Sequence, residues 1–217
     1  MSETKLLEDI KAAVVRGDTP LAVELAKRIV SEGVDPILAF EQGLREGITI
    51  VGDGFSKGDL FLPDLAMAAE TMKAAGSILE EEIQRSGAVR EKLGTIVIGT
   101  VAGDMHDIGK TIVSTMLNTR GFDVIDLGVD VSNDEFIDAI KEHNPIILGM
   151  SSLLTITAKK LSEVIQLIDD TDLRSKTKVI VGGGAVTGDY AEEIGADGYG
   201  QDAEQAVRLA KKLIDAK

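Results

Sequence analysis

Residues 95–110 read TIVIGTVAGDMHDIGK, and this stretch decides the fold. Its first six residues form an apolar, β-branched run that is typical of a buried strand. Small and polar residues from Val101 to Asp107 end the run, and an amphipathic stretch from about 108 to 120 follows. A strand, a short polar loop and a helix in this order predict the start of a βαβ unit.

The same alternation continues to the end of the chain. Further strands are predicted near residues 123–127, 146–150, 178–181 and 197–199. Helices are predicted near residues 108–120, 133–143, 157–170, 187–194 and 202–215. Because alternating strands and helices pair in parallel through right-handed crossovers, we expect residues 89–217 to form a Rossmann-like α/β domain with a five-stranded parallel sheet.

Residues 1–88 have helical periodicity instead. Apolar stripes are formed by Leu6, Ile10 and Val14, and by Leu21, Leu25 and Ile29. Two more helices are predicted over 36–51 and 63–84, with N-caps at Asp18 and Asp35 and first-turn prolines at Pro20, Pro36 and Pro63. Four helices with short links predict a small bundle, and the polar segment 85–94 is interpreted as the linker to the α/β domain.

Composition excludes several classes of function. The 217 residues carry a net charge of −14 without a basic patch, which argues against nucleic acid or an anionic membrane as a partner. The chain has no cysteine, so disulfides, thiolate metal sites and cysteine nucleophiles are excluded. The N-terminus lacks the apolar segment of a signal peptide and no apolar run reaches the length of a membrane span, so a cytoplasmic protein is expected.

Three loops are candidates for a binding site, because ligands of open parallel sheets bind beyond the carboxyl ends of the strands. The first is the loop from Val101 to Lys110. The second follows the third strand, over 149–155, and the third is the glycine run 182–184. All three are rich in small or polar residues, whereas the strands before them are apolar.

The chain has two histidines, and their settings differ. His143 lies near a helix end beside charged residues and is interpreted as a surface residue. His106 lies in the first loop, where Asp104 could orient its imidazole, although a purely structural role stays open. One histidine is a poor site for a bare zinc ion, but it suffices where a macrocycle supplies the other metal ligands.

The first loop has two alternative interpretations, as a phosphate-binding loop and as part of a ligand-free domain. Gly103, Gly109 and Lys110 resemble a Walker loop only superficially, because five residues separate the glycines and they include carboxylates. Nucleotide hydrolysis is therefore rejected. A flavodoxin-like interaction domain without a cofactor remains an alternative from a different functional class.

The three loops together resemble the signature of cobalamin-binding domains. Asp104-x-His106-x-x-Gly109, Ser151-x-Leu153 and Gly182-Gly183 match its pattern Asp-x-His-x-x-Gly, Ser-x-Leu, Gly-Gly in order. Residues 52–65, which read GDGFSKGDLFLPDL, are similar to the helical cap that precedes this domain in methionine synthase and in the small corrinoid proteins of methyltransferase systems, including the methylamine type. The resemblance covers nearly the whole chain.

The resemblance implies a role for each matching residue. His106 would be the lower axial ligand of cobalt, Asp104 would accept a hydrogen bond from its second nitrogen, and Thr157 would take the third relay position. The other cofactor-binding residues would be Asp107 and Gly109 in the first loop, Ser151, Leu153 and Thr155 beside the displaced nucleotide tail, Gly182 and Gly183 along that tail, and Phe55, Leu62 and Leu65 over the upper face. The cofactor would be cobalamin or a related corrinoid that alternates between methyl-Co(III) and Co(I).

The function that this resemblance implies is methyl carriage. The chain would carry a methyl group between a substrate-specific methyltransferase and an acceptor methyltransferase, with a reductive activation protein as a further partner, and would not be an enzyme alone. A mutase subunit and a cobalamin-dependent sensor are the alternatives. The methyl donor (a methylamine, betaine, methoxylated aromatic or methanol) would be chosen by the partner enzyme.

Overall fold

The computed structural model describes residues 2–88, 90 and 93–215 and divides the chain into two compact units, Met1–Glu91 and Lys92–Lys217. The first unit is helical and the second contains the parallel sheet. The sequence-based boundary after residue 88 lies close to this division.

Four helical segments build the first unit, as predicted. They are α1 (Glu3–Arg16), α2 (Thr19–Ser31), a long third segment and α5 (Leu62–Ser86). The third segment runs without a break through α3 (Pro36–Leu38), a π-helical stretch (Ala39–Arg45) and α4 (Glu46–Lys57). The predicted N-caps are confirmed, because the Asp18 carboxylate accepts a hydrogen bond from the backbone of Leu21 and Asp35 accepts one from that of Ile37.

The predicted apolar stripes form the core of this unit. Leu6, Ile10 and Val14 are fully buried, and Leu25 and Ile29 are at most 4% exposed. The predicted linker 85–94 is wrong at its start, because Arg85 and Ser86 belong to the last turn of α5, which ends at Gly87 in the left-handed conformation. Residues 89, 91 and 92 of that segment lie outside the described residues.

The second unit contains a five-stranded, all-parallel sheet in the order β2-β1-β3-β4-β5, which confirms the predicted fold class. The strands are β1 (Thr95–Thr100), β2 (Asp123–Asp126), β3 (Ile147–Ser151), β4 (Lys178–Gly182) and β5 (Gly198–Gly200). The helices are α6 (Ile108–Thr119), α7 (Asn133–His143), α8 (Thr155–Asp169), α9 (Gly188–Glu193) and α10 (Ala203–Asp215), with a 3-10 turn at Asp172–Ser175.

The two faces of the sheet are packed differently. On one face, Val97, Leu148 and Val179 join a dense core with the helical residue Phe136 of α7. Gly99 permits this packing, since a Cβ atom there would lie 2.7 Å from the Phe136 ring. The other face, toward α6 and α10, encloses a small apolar cavity of about 20 Å³. Its lining includes Ile96, Ile98, Leu117, Gly149, Ile180 and Ala206.

The strands β1 and β3 are neighbours, with β2 on the far side of β1 and with β4 and β5 beyond β3. The strand order therefore reverses between β1 and β3, and the crossovers on the two sides lie on opposite faces of the sheet. The carboxyl ends of β1, β3 and β4 are therefore neighbours, with Thr100 paired to Ser151 and Ser151 paired to Gly182. This topology brings the three predicted loops to one edge of the sheet. Among the described residues, no helix has the length and apolar character needed to cross a membrane.

Candidate functional site

His106 and Asp104 form a hydrogen-bonded pair in the loop between β1 and α6. Nδ1 of His106 lies 2.7 Å from Oδ1 of Asp104, and the same oxygen accepts the backbone N–H of His106 at 3.1 Å. A hydroxyl from the end of β1 fixes the loop further, because Thr100 Oγ1 donates to the carbonyl oxygen of His106 at 3.0 Å. The loop thus holds both the imidazole ring and the backbone of His106 in place.

The second oxygen of Asp104 is held by the loop that follows β3. Oδ2 accepts the backbone N–H of Leu153 at 2.8 Å, that of Leu154 at 3.2 Å and the hydroxyl of Thr157 at 2.9 Å. The Asp104 side chain is fully buried. Burial by itself raises the pKa of this carboxyl, but the hydrogen bonds from His106, Leu153 and Thr157 outweigh it and hold the pKa of Asp104 well below its ordinary range. Asp104 is therefore ionised at neutral pH.

A second hydroxyl completes this network and was not singled out in the sequence. Ser152 is fully buried, and its Oγ lies 2.9 Å from Thr157 Oγ1. Thr157 is 5% exposed and also lies 2.9 Å from the carbonyl oxygen of Leu154. The pair of serines at 151 and 152 after a strand was the available signal, but only the fold shows that the second one contacts Thr157, which in turn binds Asp104.

The remaining ring nitrogen of His106 is available to a ligand. Because an ionised carboxylate at Nδ1 favours the tautomer with the proton on Nδ1, the lone pair is left on Nε2. The His106 side chain is 52% exposed, whereas that of Asp104 beneath it is buried. No group of three or more His, Cys, Asp or Glu side chains among the described residues could hold a metal ion. This donor set fits a metal that takes one axial nitrogen from the protein.

Exposed apolar side chains occur on both sides of His106 in its own segment and in the segment after β3 that binds Asp104. Met105 is 68% exposed, and Ile108 and Ile156 are 69% and 74% exposed. Leu153 and Leu154, whose backbone N–H groups bind Asp104, are 45% and 37% exposed. Large apolar residues at such exposure in two adjoining loops form a surface suited to the flat face of a large, partly apolar ligand. Sequence reasoning missed Met105, Ile108, Leu154 and Ile156, because exposure is not visible in a sequence.

Gly109 has no structural reason to be glycine. It lies in α6, and among the described residues a Cβ atom there would meet nothing within 4 Å apart from its chain neighbours and the nearby backbone of its own helix. Glycine in a helix lowers stability relative to alanine, so its presence beside an open space fits a ligand that approaches the backbone closely. Asp107, the N-cap residue of α6, is exposed beside it.

The predicted glycines of the third loop are required by the chain itself. A Cβ atom at Gly183 would lie 2.2 Å from the carbonyl oxygen of Ser152, and Gly183 has a φ of +110°. A Cβ atom at Gly182 would lie 2.8 Å from the carbonyl oxygen of Gly200. Contact with a nucleotide tail therefore stays a prediction for both, since protein packing already explains them.

The other residues of the predicted tail slot lie at the same edge. Ser151 is the last residue of β3 and half-buried, and its carbonyl oxygen accepts the backbone N–H of Val101. Leu153 and Thr155 are exposed, the latter at the first residue of α8. Ser151 is paired with Gly182 in the sheet, and Leu153 binds Asp104 through its backbone N–H. Contact of Ser151, Leu153 and Thr155 with a nucleotide tail stays a prediction.

Lys110 explains why the first loop looks like a phosphate loop but is not one. Its ammonium group is buried and contacts both carboxylate oxygens of Asp126, at the end of β2, at 2.5 Å. Asp126 also accepts the backbone N–H of Gly128 at 2.8 Å. A lysine held in this way is not available to a phosphate group, which agrees with the rejection of nucleotide hydrolysis.

The three predicted upper-face residues lie in the helical unit and differ in exposure. Phe55 is half-buried in α4 just before the turn at Gly58, and Leu62 is 38% exposed at the start of α5. Leu65 is 1% exposed and so presents almost no surface. The neighbouring Phe61, which was not predicted, is 69% exposed.

Comparison with known proteins identifies the family. A family described as "B12 binding domain" matches residues 94–208, and a second family with this description matches residues 6–80. A corrinoid protein of Desulfitobacterium hafniense is 42% identical over 210 residues, which cover 96% of this chain and 97% of that protein. The chain belongs to the corrinoid protein family. Its cofactor is a corrinoid.

Other relatives place this corrinoid protein among those of methyltransferase systems. Dimethylamine corrinoid protein 1 of Methanosarcina mazei is 43% identical over 219 residues, covering 100% of this chain and 99% of that protein. A chain of the methanol:cobalamin methyltransferase complex of Methanosarcina barkeri is 31% identical, with a TM-score of 0.88 over 98% of this chain and 81% of that chain. A cobalamin-binding protein of Desulfitobacterium hafniense is also 31% identical, with a TM-score of 0.64 over 95% of this chain and 98% of that chain.

Proposed function

We propose that this corrinoid protein carries a methyl group from a substrate-specific methyltransferase to an acceptor methyltransferase. It would catalyse neither transfer alone. The observation that supports this most is the exposed imidazole of His106 on the buried, ionised Asp104, which offers one metal-binding nitrogen. The names of the relatives, among them corrinoid proteins for dimethylamine, support small methylated compounds as the class of donor.

The bound corrinoid supplies a cobalt that can hold a methyl group. Nε2 of His106 would hold the cobalt, and Asp104 would keep the proton on Nδ1 so that Nε2 retains its lone pair. Asp104 would also hold the ring of His106 in the orientation that presents Nε2 to the cobalt.

The buried hydroxyls support the pair and do not face a substrate. Thr157 donates to Asp104 and lies against Ser152, and both hydroxyls are enclosed by the protein. Their arrangement orients the carboxylate, which is a task of cofactor binding. This supports a carrier whose two chemical steps are catalysed by partner methyltransferases. A reductive activation protein is proposed as a third partner, which would restore cofactor that has lost an electron.

Coordination by His106 is tested by electron paramagnetic resonance of the full chain loaded with hydroxocobalamin and reduced to Co(II). We expect nitrogen hyperfine splitting from a protein imidazole, seen as a change when the chain carries ¹⁵N-histidine. His106→Ala should abolish it, and the control His143→Ala should keep it. Splitting that persists in His106→Ala would assign the ligand elsewhere.

Methyl carriage is tested with the same full chain loaded with ¹⁴C-methylcobalamin. Alone with a thiol, the chain should retain its label, and it should release the label when an acceptor methyltransferase is added. Rapid transfer without any partner would make the chain an enzyme in its own right. Retention of the label with every acceptor methyltransferase of a panel drawn from methylamine and methanol systems would contradict carriage.

A further inference from the structure

Asp130 adopts a backbone conformation that its residue type normally avoids. It lies between β2 and α7 with a φ of +56°, in the left-handed region. Among the described residues, the other non-glycine residue with positive φ is Asn144, the C-cap of α7, where this conformation is common. Glycine would adopt the conformation of Asp130 without strain, so its side chain needs a separate explanation.

Two hydrogen bonds of Asp130 supply that explanation. Its Oδ1 accepts the backbone N–H of Gly103 at 2.7 Å, and its own N–H donates to the carbonyl oxygen of Asp104 at 3.0 Å. One residue therefore holds both ends of the Gly103–Asp104 dipeptide. The left-handed backbone is what lets the side chain and the N–H of Asp130 reach this dipeptide together.

The contact continues a ladder from β1 and β2. Beyond the paired residues of these strands, Thr100 N–H donates to Gly128 and Val131 N–H donates to Thr100, at 3.0 and 2.9 Å. Val101 forms an isolated parallel bridge with Val131. The loop that carries the histidine is thus held through its backbone by residues 128–131. The Asp104 carboxylate is held separately, by the loop after β3.

From this geometry we infer that Asp130 is a positioning residue for the pair formed by Asp104 and His106. It fixes the backbone from which the carboxylate projects, so that Asp104 stays aligned with Nδ1 while His106 binds or releases the metal. This inference rests on the proposed role of His106 as the cobalt ligand. Asp130 is an exposed loop residue that touches neither the imidazole nor the Asp104 carboxylate group. It would nevertheless strengthen the bond between His106 and the metal.

A double-mutant cycle tests the inference with the full chain and hydroxocobalamin. Asp130→Gly keeps the left-handed backbone and its N–H but removes the carboxylate. We expect the dissociation constant to rise about three- to tenfold, as for the loss of one hydrogen bond to a charged or polar acceptor. In the His106→Ala background the same substitution should change the dissociation constant by less than about twofold, because Asp130 then has no ligand to position.

Matched variants sharpen the result. Asp130→Asn keeps an acceptor and tolerates the left-handed conformation, so it should restore most of the affinity. Asn144→Gly relaxes the other left-handed residue away from the loop and should leave the affinity unchanged. Thermal unfolding of each variant shows whether it folds.

The outcomes separate this inference from the proposed function. Equal weakening by Asp130→Gly in both backgrounds, or no weakening in either, would overturn the positioning role. If the wild-type Co(II) spectrum shows no histidine signal, the assignment of His106 as the cobalt ligand is overturned, and the positioning role of Asp130 with it. If the wild-type Co(II) spectrum shows the histidine signal but the effects of the two substitutions are additive, the proposed function stands and only the positioning role of Asp130 is overturned.

Discussion

One oxygen of Asp104, Oδ1, contacts two nitrogens of His106, the backbone N at 3.1 Å and Nδ1 at 2.7 Å. This relationship is local, because two residues of one loop form it. The other oxygen is bound by residues about fifty positions later in the chain, at Leu153 and Thr157. The orientation of the imidazole therefore depends on a short sequence motif and on the tertiary contact between two loops.

Asp104→Asn should fold but place the imidazole proton on the wrong nitrogen. If the amide oxygen keeps the bonds to Leu153 and Thr157, the NH₂ group faces Nδ1, which must then accept. The proton moves to Nε2, which can no longer bind a metal in its neutral form. We expect at least a tenfold drop in the fraction of Co(II) cofactor with the histidine signal. ¹⁵N nuclear magnetic resonance of His106 should show the exchanged tautomer, with His143 as the unchanged control.

The same carboxylate should make stability depend on pH in the acid range. Because the pKa of Asp104 is lower in the folded chain than in the unfolded chain, its contribution is complete above the unfolded value of about 3.9 and is lost as the pH falls through the folded value. The difference in unfolding free energy between wild type and Asp104→Asn should shrink as the pH falls below about 5. Urea unfolding at a series of pH values measures it. A difference that does not shrink below about pH 5 would contradict the depressed pKa of Asp104.

Thr157 should act through its hydroxyl more than through its methyl group. Thr157→Val keeps the shape but removes the bonds to Asp104 and Ser152, and should lower the unfolding free energy by about 1–3 kcal/mol. Thr157→Ser keeps the hydroxyl and loses a methyl group near Gly103, which costs about 0.8 kcal/mol. Denaturant unfolding ranks the two variants, and a larger loss in the serine variant would show that packing dominates.

Two glycines of the site should respond to alanine in opposite directions. Gly183→Ala places a Cβ atom 2.2 Å from the carbonyl oxygen of Ser152 at a φ of +110°, so overpacking and strain should destabilise the fold by about 2–5 kcal/mol. Gly109→Ala meets open space in a helix and should stabilise the fold by about 0.5–1 kcal/mol. The same variant should weaken corrinoid binding if the ligand fills that space. Unchanged affinity in a stabilised Gly109→Ala would remove Gly109 from the binding residues.

The residues of the helical unit that are predicted to cover the upper face of the cofactor should differ in how much their substitution lowers stability, because they differ in burial. Leu65→Ala removes a buried side chain and should cost about 2–5 kcal/mol of stability. Phe55→Ala with Leu62→Ala removes partly exposed side chains and should have a smaller effect on unfolding. If these two cover the cofactor, bound methylcobalamin should photolyse faster in the double variant at equal loading. Equal photolysis rates with full cofactor binding would assign both residues to the bundle alone.

Local periodicity predicted most elements of this protein, but the third helical segment ends at Lys57 and not near Val51. The strand Thr95–Thr100 was predicted at its observed bounds, and the N-caps Asp18 and Asp35 were identified from residue type and position. The linker was placed too early, because the helical residues Arg85 and Ser86 are polar and carry no periodic signal at a helix end. Helix ends depend on the last few hydrogen bonds, which sequence patterns fix poorly.

The sequence by itself determined the pairing of Asp104 with His106, since a spacing of two lets one carboxylate reach both the ring and the backbone of the same residue. The sequence also predicted that the three loops meet at one edge of the sheet, because right-handed crossovers make the strands parallel and so place their carboxyl ends together. Only the tertiary structure decided which groups bind the second oxygen of Asp104 and why position 183 requires glycine. It also decided that Asp130 forms hydrogen bonds to the backbone of Gly103 and Asp104. These facts depend on contacts between residues far apart in the chain, and packing sets the distances of such contacts only after the whole sheet is assembled.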